Sequence, residues 1–425
     1  MKIDCVGGGP AGLYFALLTK LHDPRHTVTV FERCRADSTY GLGVSLAQDI
    51  LDSLRSNDAE SAQEIERAGF RWQRQEVYFR GHRATYDGDD IYNISRQQLV
   101  DILAARAASL GVDIRYGHEV LSTRELPDSD LIVAADGANS RIRRTAGKFQ
   151  TSVSEGSNKY IWLASTKVFG CFTYLFARTE AGWVWAYAYG FTPELSTFIV
   201  ECSAETWDGL GFPAMSTDES AAVLQRLFAD HLEGKRLIGA FPDGTSARWQ
   251  SFRTITNRRW HEDNVVLLGD AAHTAHFSIG GGTKLALEDA ITLAATLAPG
   301  SLDQGGGSLG QALTAYESRR RADLVRPLAE AQCSAAWLEN LPRYARLDPQ
   351  VFTALLHLRR SPLLPVMPPR LSYLLHQATE RSAALNEIRT RLGRATKTVY
   401  GRRMSPPRDG DSRASTDDRT AVSSG

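Results

Sequence analysis

The sequence has no surplus of either charge and no long apolar run. Its 49 lysines and arginines are balanced by 49 aspartates and glutamates, whereas nucleic-acid-binding proteins usually carry a basic excess. No segment approaches the roughly 18 consecutive apolar residues of a membrane-spanning helix, and the N-terminus has neither the apolar stretch nor the small-residue cleavage site of a secretory signal. We therefore expect no nucleic-acid partner and no membrane span.

Cysteine is scarce, and its spacing does not indicate a metal site. Disulfide frameworks and metal sites need paired cysteines at short, regular spacings, and free thiols are typical of reducing compartments. The sequence thus predicts reduced cysteines, a cytoplasmic protein and no metal. The cysteines are odd in number and far apart, at Cys5, Cys34, Cys171, Cys202 and Cys333.

The first forty residues predict a βαβ unit, the building block of a parallel sheet. An apolar strand over residues 2–6 runs into a glycine-rich turn over residues 7–12. Leucines at helical spacing then mark a helix over residues 10–21, and β-branched residues at 27–31 mark a second strand. Such a unit, opened by a glycine turn, is typical of nucleotide-binding folds.

The glycine turn has the spacing of a dinucleotide-binding fingerprint. Gly7, Gly9 and Gly12 match G-x-G-x-x-G, in which the first glycine permits a tight turn, the second lets the backbone approach a pyrophosphate, and the third lets the helix pack on the strand. Glu32 lies twenty residues beyond Gly12, where a carboxylate can bind a ribose 2′-hydroxyl. The fingerprint leaves the identity of the dinucleotide open, and a plain glycine turn is the alternative. The expected contacts are Gly7, Gly9, Pro10, Ala11, Gly12 and Glu32.

The rest of the chain predicts an interrupted α/β domain. The α/β pattern covers residues 1–150 and returns at 256–325, a β-rich segment fills 151–255, and helical periodicity dominates 326–400. Residues 401–425 lack aromatics, which favours a disordered tail. Further expected features are strands near 112–116, 131–134, 160–202 and 264–268, helices at 96–110 and 283–297, a loop and then a helix over 41–70, a β-meander over 77–95 turned at 87–89, a hairpin near 179–182 and a glycine loop at 305–307.

Two later glycine–acid segments each follow an apolar strand. The first is Asp136-Gly137, and the second is Gly269-Asp270, with three glycines at 280–282 soon after it. With the fingerprint, these segments resemble the single-component FAD-dependent aromatic hydroxylases of the para-hydroxybenzoate hydroxylase fold, over residues 1 to about 325. The resemblance implies an α/β fold, in which a Rossmann-like FAD-binding domain carries an inserted mixed β-sheet substrate domain and C-terminal helices.

The resemblance also implies FAD as cofactor and NADH or NADPH as cosubstrate. In this family the reduced flavin reacts with O2 to give a C4a-hydroperoxide, and an electron-rich aromatic ring attacks its distal oxygen. The glycine run precedes an apolar helix, so its amides are expected to border the flavin, as is the loop at 41–45. Positions matched to the family add Arg33, Gly43, Arg96, Asp136, Gly137, Asp270, Gly280, Gly282 and Thr283 to the FAD site, and make His276, Gly280 and Gly281 the expected catalytic positions.

The segment after Asp270 departs from the common family pattern. Phe277 stands where most members have proline, and Gly281 and Lys284 stand where they have glutamine and asparagine. Residues 273–284 instead resemble a narrower branch, which includes the anthraniloyl- and salicylyl-CoA hydroxylases and the tryptophan-derivative hydroxylase of violacein assembly. Residues 31–33, 40–44, 196–202 and 252–253 resemble the same branch.

Aromatic residues alternate along two adjacent predicted strands. Alternate side chains of a strand point to one face, so each set lines a single face. Such a wall suits a flat aromatic substrate, and an ordinary sheet–helix core is the alternative. The rings are Phe172, Tyr174 and Phe176 in one strand and Trp183, Trp185, Tyr187 and Tyr189 in the next. Those expected to bind substrate are Phe172, Tyr174, Trp183, Trp185 and Tyr187.

The two histidines of the second glycine–acid segment lie three residues apart. His273 and His276 lack a third ligand for a metal. His276 is expected to be a hydrogen-bond donor or base in the pocket, with a plain loop histidine as the alternative. Arg319-Arg320-Arg321 is expected to be a solvated helix face.

The sequence therefore predicts an FAD-dependent aromatic hydroxylase. Its small aromatic substrate is left open among an aryl-CoA thioester, a free aromatic acid and a tryptophan- or indole-derived intermediate, as are the reaction's position on the ring, the choice of NADH or NADPH and the oligomeric state. A non-oxygenating flavin reductase or dehydrogenase, and a catalytically silent flavoprotein used as a binding module, are the alternatives from other classes.

Overall fold

The computed structural model describes residues 1–36, 42–241, 246–299 and 308–381, and within these ranges the chain forms two sheets and a set of helices. In chain order the strands are β1 (Lys2–Val6), β2 (Thr27–Glu32), β3 (Gly43–Ala47), β4 (Phe70–Phe79), β5 (His82–Ser95), β6 (Asp113–Tyr116), β7 (Leu131–Ala134), β8 (Thr151–Ser165), β9 (Phe172–Arg178), β10 (Trp183–Gly190), β11 (Ser196–Cys202), β12 (Leu237–Ile238), β13 (Gln250–Asn257), β14 (His261–Glu262) and β15 (Val265–Leu267).

The α-helices account for most of the remaining described residues. In chain order they are α1 (Pro10–His22), α2 (Gln48–Asn57), α3 (Ala59–Ala68), α4 (Arg96–Ser109), α5 (Arg141–Ala146), α6 (Ala204–Gly209), α7 (Thr217–Leu227), α8 (Ala229–Leu232), α9 (Gly282–Leu297), α10 (Leu309–Glu339), α11 (Leu341–Tyr344), α12 (Pro349–His357) and α13 (Pro369–Arg381). Within the described ranges, none of these helices is long and apolar enough to cross a bilayer.

The first sheet is the predicted parallel sheet, and its order is β14-β15-β7-β1-β2-β6. The strands β15, β7, β1, β2 and β6 run parallel, with Ile3 opposite both Val28 and Leu131, and Val265 opposite Ile132. Strands of a parallel sheet are usually buried on both faces. Here β7 and β15 are fully buried and apolar, β1 and β2 are buried except at their ends, and the edge strand β6 is largely exposed. Because β15 returns to the same sheet after the long intervening segment, the predicted interrupted α/β fold is confirmed.

The second sheet contains the predicted strands of residues 160–202, but it extends beyond them. Its order within the described residues is β12-β8-β11-β10-β9-β4-β5-β3, with β13 also paired to β8. The hairpin between β9 and β10 closes where expected, since Thr179 N donates to Gly182 O at 2.8 Å. The strands β3, β4 and β5 join this sheet from residues 43–95, before the β-rich segment begins. The domain boundaries at residues 150, 255, 325 and 400 stay a prediction.

The turn of the second sheet's first hairpin was wrongly predicted. The chain reverses at Arg80 and Gly81, which have φ of 51° and 75°, as the two-residue hairpin turns that match strand twist require. The expected turn at 87–89 lies inside β5, where the register against β4 shifts between Trp72 and Arg74, so the Asp-Gly signal marks a bulge. Residues 43–47, expected as part of a loop, form β3.

The C-terminal helices cover one face of the second sheet. Trp337 of α10, Tyr344 of α11 and Phe352 of α12 pack in one buried cluster with aromatic residues of β9 and β10. The opposite face is covered by α7 and neighbouring segments through a separate apolar cluster. The C-terminal helices of the predicted fold are thus present through residue 381, and the bounds of the helical region stay a prediction. The predicted loop at 305–307, the helical pattern beyond 381 and the tail at 401–425 lie outside the described residues.

Candidate active site

The first sheet brings the three glycine-bearing segments to one edge. Gly7 follows β1, Asp136 follows β7, and Gly269 follows β15, and these three strands are neighbours running in the same direction. Parallel strands present their carboxyl ends at one edge, which is where α/β folds bind ligands. Segments separated by more than 100 residues therefore meet at this edge, and the open space beside it is here called the cleft.

Two glycines of the fingerprint are required by close backbone contacts. A Cβ on Gly7, whose φ is +114°, would lie 2.3 Å from Ala135 O, and a Cβ on Gly12 would lie 2.1 Å from Gly7 O. Gly9 differs, because its nearest neighbour would be Arg96 Nη2 at 3.9 Å. Gly7 and Gly12 therefore let three backbone segments meet, and Gly9 leaves space in front of the turn. Pro10 and Ala11 form the first turn of α1.

Glu32 ends β2 beside the glycine turn. Its Oε2 accepts a hydrogen bond from Gly8 N at 2.7 Å, and its Oε1 accepts one from Cys34 N at 2.8 Å. A carboxylate has about four lone-pair sites, so it can also accept from ribose hydroxyls. The adjacent Arg33 is exposed.

The Asp-Gly segment is tied to the Gly-Asp segment by a buried arginine. Asp136 Oδ2 accepts from Arg141 N at 2.7 Å, while Asp136 Oδ1 is buried and has no partner among the described residues. Gly137 takes a left-handed φ of 77°. The Arg143 guanidinium donates to Ala138 O and Ala271 O at 2.7 and 2.8 Å. One side chain therefore fixes the spacing of the two motifs.

Asp270 is an accessible carboxylate in this cleft. Partial loss of contact with water raises the pKa of its carboxyl group, and the nearby Arg96 and His273 oppose that shift. Arg96 begins α4, and its backbone N–H donates to Leu42 O at 2.7 Å. Gly43 is required by a side-chain contact instead, because a Cβ at this position would lie 2.6 Å from the Cβ of Phe191, which directly follows β10.

The residues of the cleft fit FAD. The orphaned Asp136 Oδ1 and the free lone pairs of Glu32 suit hydroxyl groups, and the amino end of α1 suits a pyrophosphate. A Cβ on Gly280 or Gly282 would meet nothing within 4 Å, so this glycine run borders open space at the start of α9. At Gly281 there is less space, because an added Cβ would lie 3.1 Å from Ile279 Cδ1. Thr283 lies half-buried in the first turn of α9.

A buried ionic cluster supports the Gly-Asp loop from behind. Asp289 of α9 contacts His273 Nε2 at 2.8 Å and Arg320 Nε at 2.7 Å, and it accepts from Gly269 N at 3.2 Å. Burial disfavours the charged carboxylate, but His273 and Arg320 outweigh it and lower the pKa of Asp289. Sequence analysis missed this cluster, although an aspartate within an apolar helix signals a buried partner.

The expectation that Arg319-Arg320-Arg321 is a solvated face was wrong for two of its members. Arg320 is only 3% exposed. Arg321 donates to Asn257 O and Arg258 O at 2.8 Å each. Arg319 alone is exposed. Successive helical residues point in different directions, so a run of like residues need not share one environment.

His276 lies in front of the same loop, in a network of hydroxyl groups. Its Nδ1 lies 2.9 Å from Ser278 Oγ, and Ser278 Oγ lies 2.8 Å from Ser334 Oγ of α10. Arg359 donates to Ser334 Oγ at 3.1 Å. Burial and the positive charge of Arg359 lower the pKa of His276 to about 3. A base near neutral pH needs a higher pKa, so the donor role is favoured.

Most of the aromatic wall is closed by the C-terminal helices. The rings share one face as predicted, but Tyr174, Trp183, Trp185 and Tyr187 are at most 8% exposed. Phe352 packs on Phe176 with ring centroids 4.9 Å apart. These rings therefore match the alternative of a sheet–helix core, and their substrate role stays a prediction.

The accessible aromatic groups of that face lie elsewhere. Phe172 remains half-buried, as do Tyr160 and Trp162 of β8. Phe277, from the loop after His276, contacts Tyr160 and Trp162 at centroid distances of 4.7 and 6.4 Å. Sequence analysis missed Tyr160 and Trp162, although their alternation continues the same pattern.

A buried carboxyl group also lies on this face. Glu201 of β11 is 1% exposed, accepts from Tyr187 Oη at 2.6 Å and accepts from Asn158 Nδ2 at 2.7 Å. Trp185 Nε1 in turn donates to Tyr187 Oη at 3.0 Å. Burial raises the pKa of Glu201 to about 7. The signal missed was a glutamate in an otherwise apolar strand.

Comparison with known proteins identifies relatives along most of the chain. A family model described as an FAD binding domain matches residues 2–328. Salicyloyl-CoA 5-hydroxylase of Streptomyces sp is 39% identical over 355 residues, which cover 81% of this chain and 67% of that protein. The 3-hydroxy-4-methyl-anthranilyl-(aryl-carrier protein) 5-monooxygenase of Streptosporangium sibiricum is 36% identical, over 80% of this chain and 90% of its own.

Two further similarities are more distant. Protodeoxyviolaceinate monooxygenase of Chromobacterium violaceum is 30% identical, over 90% of this chain and 100% of its own. The structure of 2-methyl-3-hydroxypyridine-5-carboxylic acid oxygenase aligns with a TM-score of 0.64 at 20% identity, over 80% of this chain and 91% of that chain. This similarity to the oxygenase structure concerns the fold alone. Among the described residues, no three histidine, cysteine or acidic side chains are grouped as metal ligands would be.

Proposed function

Because this chain belongs to the family of FAD-binding-domain proteins, we propose that it is an FAD-dependent monooxygenase that hydroxylates an aromatic substrate. NADH or NADPH is the reductant, and O2 is the oxygen donor. The proposal is supported by the convergence of the segments that carry Gly7, Asp136 and Asp270 at one edge of the first sheet, where the carboxyl ends of neighbouring parallel strands meet. The relatives that are named as hydroxylases and monooxygenases support the oxygen chemistry.

One set of residues in this chain binds the cofactor, and another set binds the substrate. Bound FAD supplies the reduction and the activation of oxygen, which side chains do not provide. Glu32 and Asp136 would accept hydrogen bonds from the hydroxyls of FAD, and the glycines of the fingerprint would leave room for its pyrophosphate. Gly280, Gly282 and Thr283 would border the flavin ring. Phe277 and the sheet beneath it exclude water and hold the aromatic ring.

An aryl thioester is the substrate class that we propose first. The most similar of the relatives above is named for salicyloyl-CoA, and another is named for an anthranilyl group on a carrier protein. An indole-derived intermediate is the second candidate, because a third relative is named for protodeoxyviolaceinate. The free thiols of all five cysteines support the proposal of a reducing, cytoplasmic environment.

The test is a turnover assay of the purified protein loaded with FAD. Salicyloyl-CoA should stimulate NADH or NADPH oxidation, and mass spectrometry should find a product with one additional oxygen atom. A flavin reductase would oxidise the nicotinamide without that product, and a silent flavoprotein would show neither response. Glu32→Ala should weaken FAD retention, because it removes the acceptor for the ribose. Equally tight FAD binding by that variant would contradict the assignment of Glu32.

A further inference from the structure

The two ring nitrogens of His276 have different environments. The backbone N–H of Ser278 points at Nδ1 over 3.3 Å, and Ser278 Oγ lies 2.9 Å from the same nitrogen. A backbone N–H can only donate, so Nδ1 must accept and carries no proton. A neutral imidazole has one protonated nitrogen, so the proton of His276 is on Nε2.

A chain of hydroxyl groups maintains this tautomer. Arg359, which is 4% exposed, follows α12 and donates through Nε to Ser334 Oγ at 3.1 Å. Arginine cannot accept a hydrogen bond, so this first bond has a fixed direction. The hydroxyl of Ser334 can then donate to Ser278 Oγ, and that of Ser278 to His276 Nδ1. The chain thus runs from Arg359 to the ring in one direction.

Arg359 is also anchored to the loop that carries the histidine. It donates through Nη2 to Ser278 O at 2.9 Å and to Tyr174 Oη at 2.6 Å. None of the partners of Arg359 among the described residues is a carboxylate. Phe252 of β13 and Ser278, which contact the imidazole directly, are uncharged. Arg360 adds a second guanidinium nearby, because its Nη2 donates to Ile279 O of the same loop at 3.1 Å. The positive charge of Arg359 therefore acts on His276 without compensation and disfavours an imidazolium ion.

The Nε2–H of His276 has no partner among the described residues. The ring is half-buried, lies over Phe277 at 4.4 Å and meets Phe252 edge-on at 4.7 Å. Phe277 in turn contacts Tyr160 of the second sheet. The ring of His276 therefore lies between the loop and the second sheet, next to accessible aromatic side chains, and its Nε2–H is available to a ligand there.

We infer that His276 is a fixed, neutral hydrogen-bond donor that recognises the carbonyl oxygen of an aromatic thioester. The inference rests on the proposed function and narrows its substrate class. A free carboxylate is best bound by a cation, but the bonds to Nδ1 leave no place for a second proton on this ring. A thioester carbonyl is neutral and needs only one donor. Ser278, Ser334 and Arg359 are positioning residues, because they act on the substrate through His276.

The first test compares two ligands on the oxidised, FAD-loaded protein. Salicyloyl-CoA is titrated against 2-hydroxybenzyl-CoA, a thioether that has a methylene group in place of the carbonyl, and the flavin absorbance reports binding. We expect the wild type to prefer the carbonyl compound by about tenfold to a hundredfold, which is the usual effect of leaving a buried donor unpaired. His276→Leu should lose the preference. His276→Gln, which retains an amide donor at a similar reach, should keep most of it.

The outcomes separate this inference from the function on which it rests. An unchanged preference in His276→Leu would overturn it, as would equal binding of both ligands by the wild type. If His276→Leu weakens FAD binding and leaves the ligand preference intact, the donor serves the cofactor and the inference is also overturned. Hydroxylation of an aromatic compound that lacks a carbonyl, with no preference between the two ligands, would contradict the inference while supporting the monooxygenase. Absence of FAD binding would contradict both.

The second test observes the ring directly and needs no substrate. Nitrogen-15 NMR of histidine-labelled holoenzyme, with His276 assigned from the His276→Gln spectrum, should show a proton on Nε2 that does not titrate between about pH 5 and 8, where an ordinary histidine does. A proton on Nδ1, or titration in that interval, would overturn the inference. Ser334→Ala interrupts the hydroxyl chain without touching the ring. It should reduce the carbonyl preference less than His276→Leu does, and no reduction would remove Ser334 from the chain.

Discussion

The loop at residues 269–282 has a histidine and a buried arginine on each of its two sides. Behind it, His273 and Arg320 share the carboxylate of Asp289. In front, His276 and Arg359 are joined only through hydroxyl groups. Asp289 compensates the charge of the rear pair. In front, the charge of Arg359 has no carboxylate partner among the described residues, and His276 is neutral.

This difference suggests that the two sides have different roles: the rear cluster supports the loop, and His276 in front binds the substrate. A buried charge is tolerated when it is paired and fully hydrogen-bonded, and Asp289 meets that condition while it holds the backbone of Gly269 beside the cofactor cleft. A site that must bind a neutral group gains nothing from such compensation. It needs a donor with no partner in the protein, and the front of the loop provides one in His276.

The largest effect should come from breaking the rear cluster. Arg320→Met leaves Asp289 with only part of its compensation, and removing one partner of a buried pair typically costs about 3–5 kcal/mol of the free energy of unfolding. Urea denaturation measures this change. Arg319→Met is the matched control, because Arg319 is exposed in the same helix and should change stability by less than about 0.5 kcal/mol. Equal effects of the two substitutions would contradict the assigned role of Arg320.

The aromatic face in front of the loop should divide into core and pocket. Trp185→Ala empties a buried position and should cost about 3–5 kcal/mol of stability. Tyr160→Ala, at a half-buried ring, should cost clearly less and instead weaken binding of the aromatic substrate. Urea denaturation and ligand titration of the two variants check this division. A Trp185→Ala protein of wild-type stability would show that this ring is not part of the core.

The buried Glu201, on the same face of the second sheet, should make the stability of the protein depend on pH. Burial raises the pKa of Glu201 to about 7 from 4.5, so the folded protein retains a proton that the unfolded chain releases between these values. Stability from this group is full below pH 4.5, falls as pH rises through the interval and is constant above it. The loss is about 3 kcal/mol in all.

Glu201→Gln removes the titrating group and provides the comparison. The stability of this variant should not fall between pH 4.5 and 7, since the Gln amide stays neutral. If the Asn158 amide flips, its oxygen accepts a hydrogen bond from the new Gln amide. Urea denaturation of both proteins at several pH values measures the difference. Stability curves that run parallel from pH 4 to 8 would show that Glu201 is ionised in the folded protein at the lower values.

The smallest effect should arise at the open end of the glycine run. Gly282→Ala adds a methyl group that meets no protein atom within 4 Å, so the stability of the protein without FAD should not fall. The same methyl group enters the cleft and should weaken FAD binding by about tenfold, the size of one lost close contact. Gly170→Ala, which also meets nothing and lies in the second sheet's loop region, should change neither quantity. Unaltered FAD affinity in Gly282→Ala would place the flavin elsewhere.

The cofactor half of the protein could be predicted because its constraints are local. Gly7 and Gly12 are fixed by backbone contacts within one turn and one neighbouring strand, and the strands that carry Asp136 and Asp270 are apolar throughout. Such features leave a direct trace in the sequence. The order of β15, β7 and β1 then follows from the parallel sheet.

The substrate half could be predicted only in outline. The alternation of aromatic residues correctly placed them on one face, but the contact of Tyr174 with Arg359 spans 185 residues, and nothing local in either segment indicates it. The same holds for the pairing of Asp289 with Arg320 and for the closure of the sheet by Phe352. These contacts depend on where the C-terminal helices dock, which the periodicity of each helix alone does not determine.

Isotope labelling of the transferred oxygen tests the proposed chemistry most directly. The FAD-loaded protein is supplied with NADH or NADPH, salicyloyl-CoA and 18O2 in unlabelled water, and the product is analysed by mass spectrometry. An FAD-dependent monooxygenase should place one 18O atom on the aromatic ring. A product without the label, or oxidation of the nicotinamide that releases only hydrogen peroxide whichever aromatic thioester or indole is offered, would contradict it.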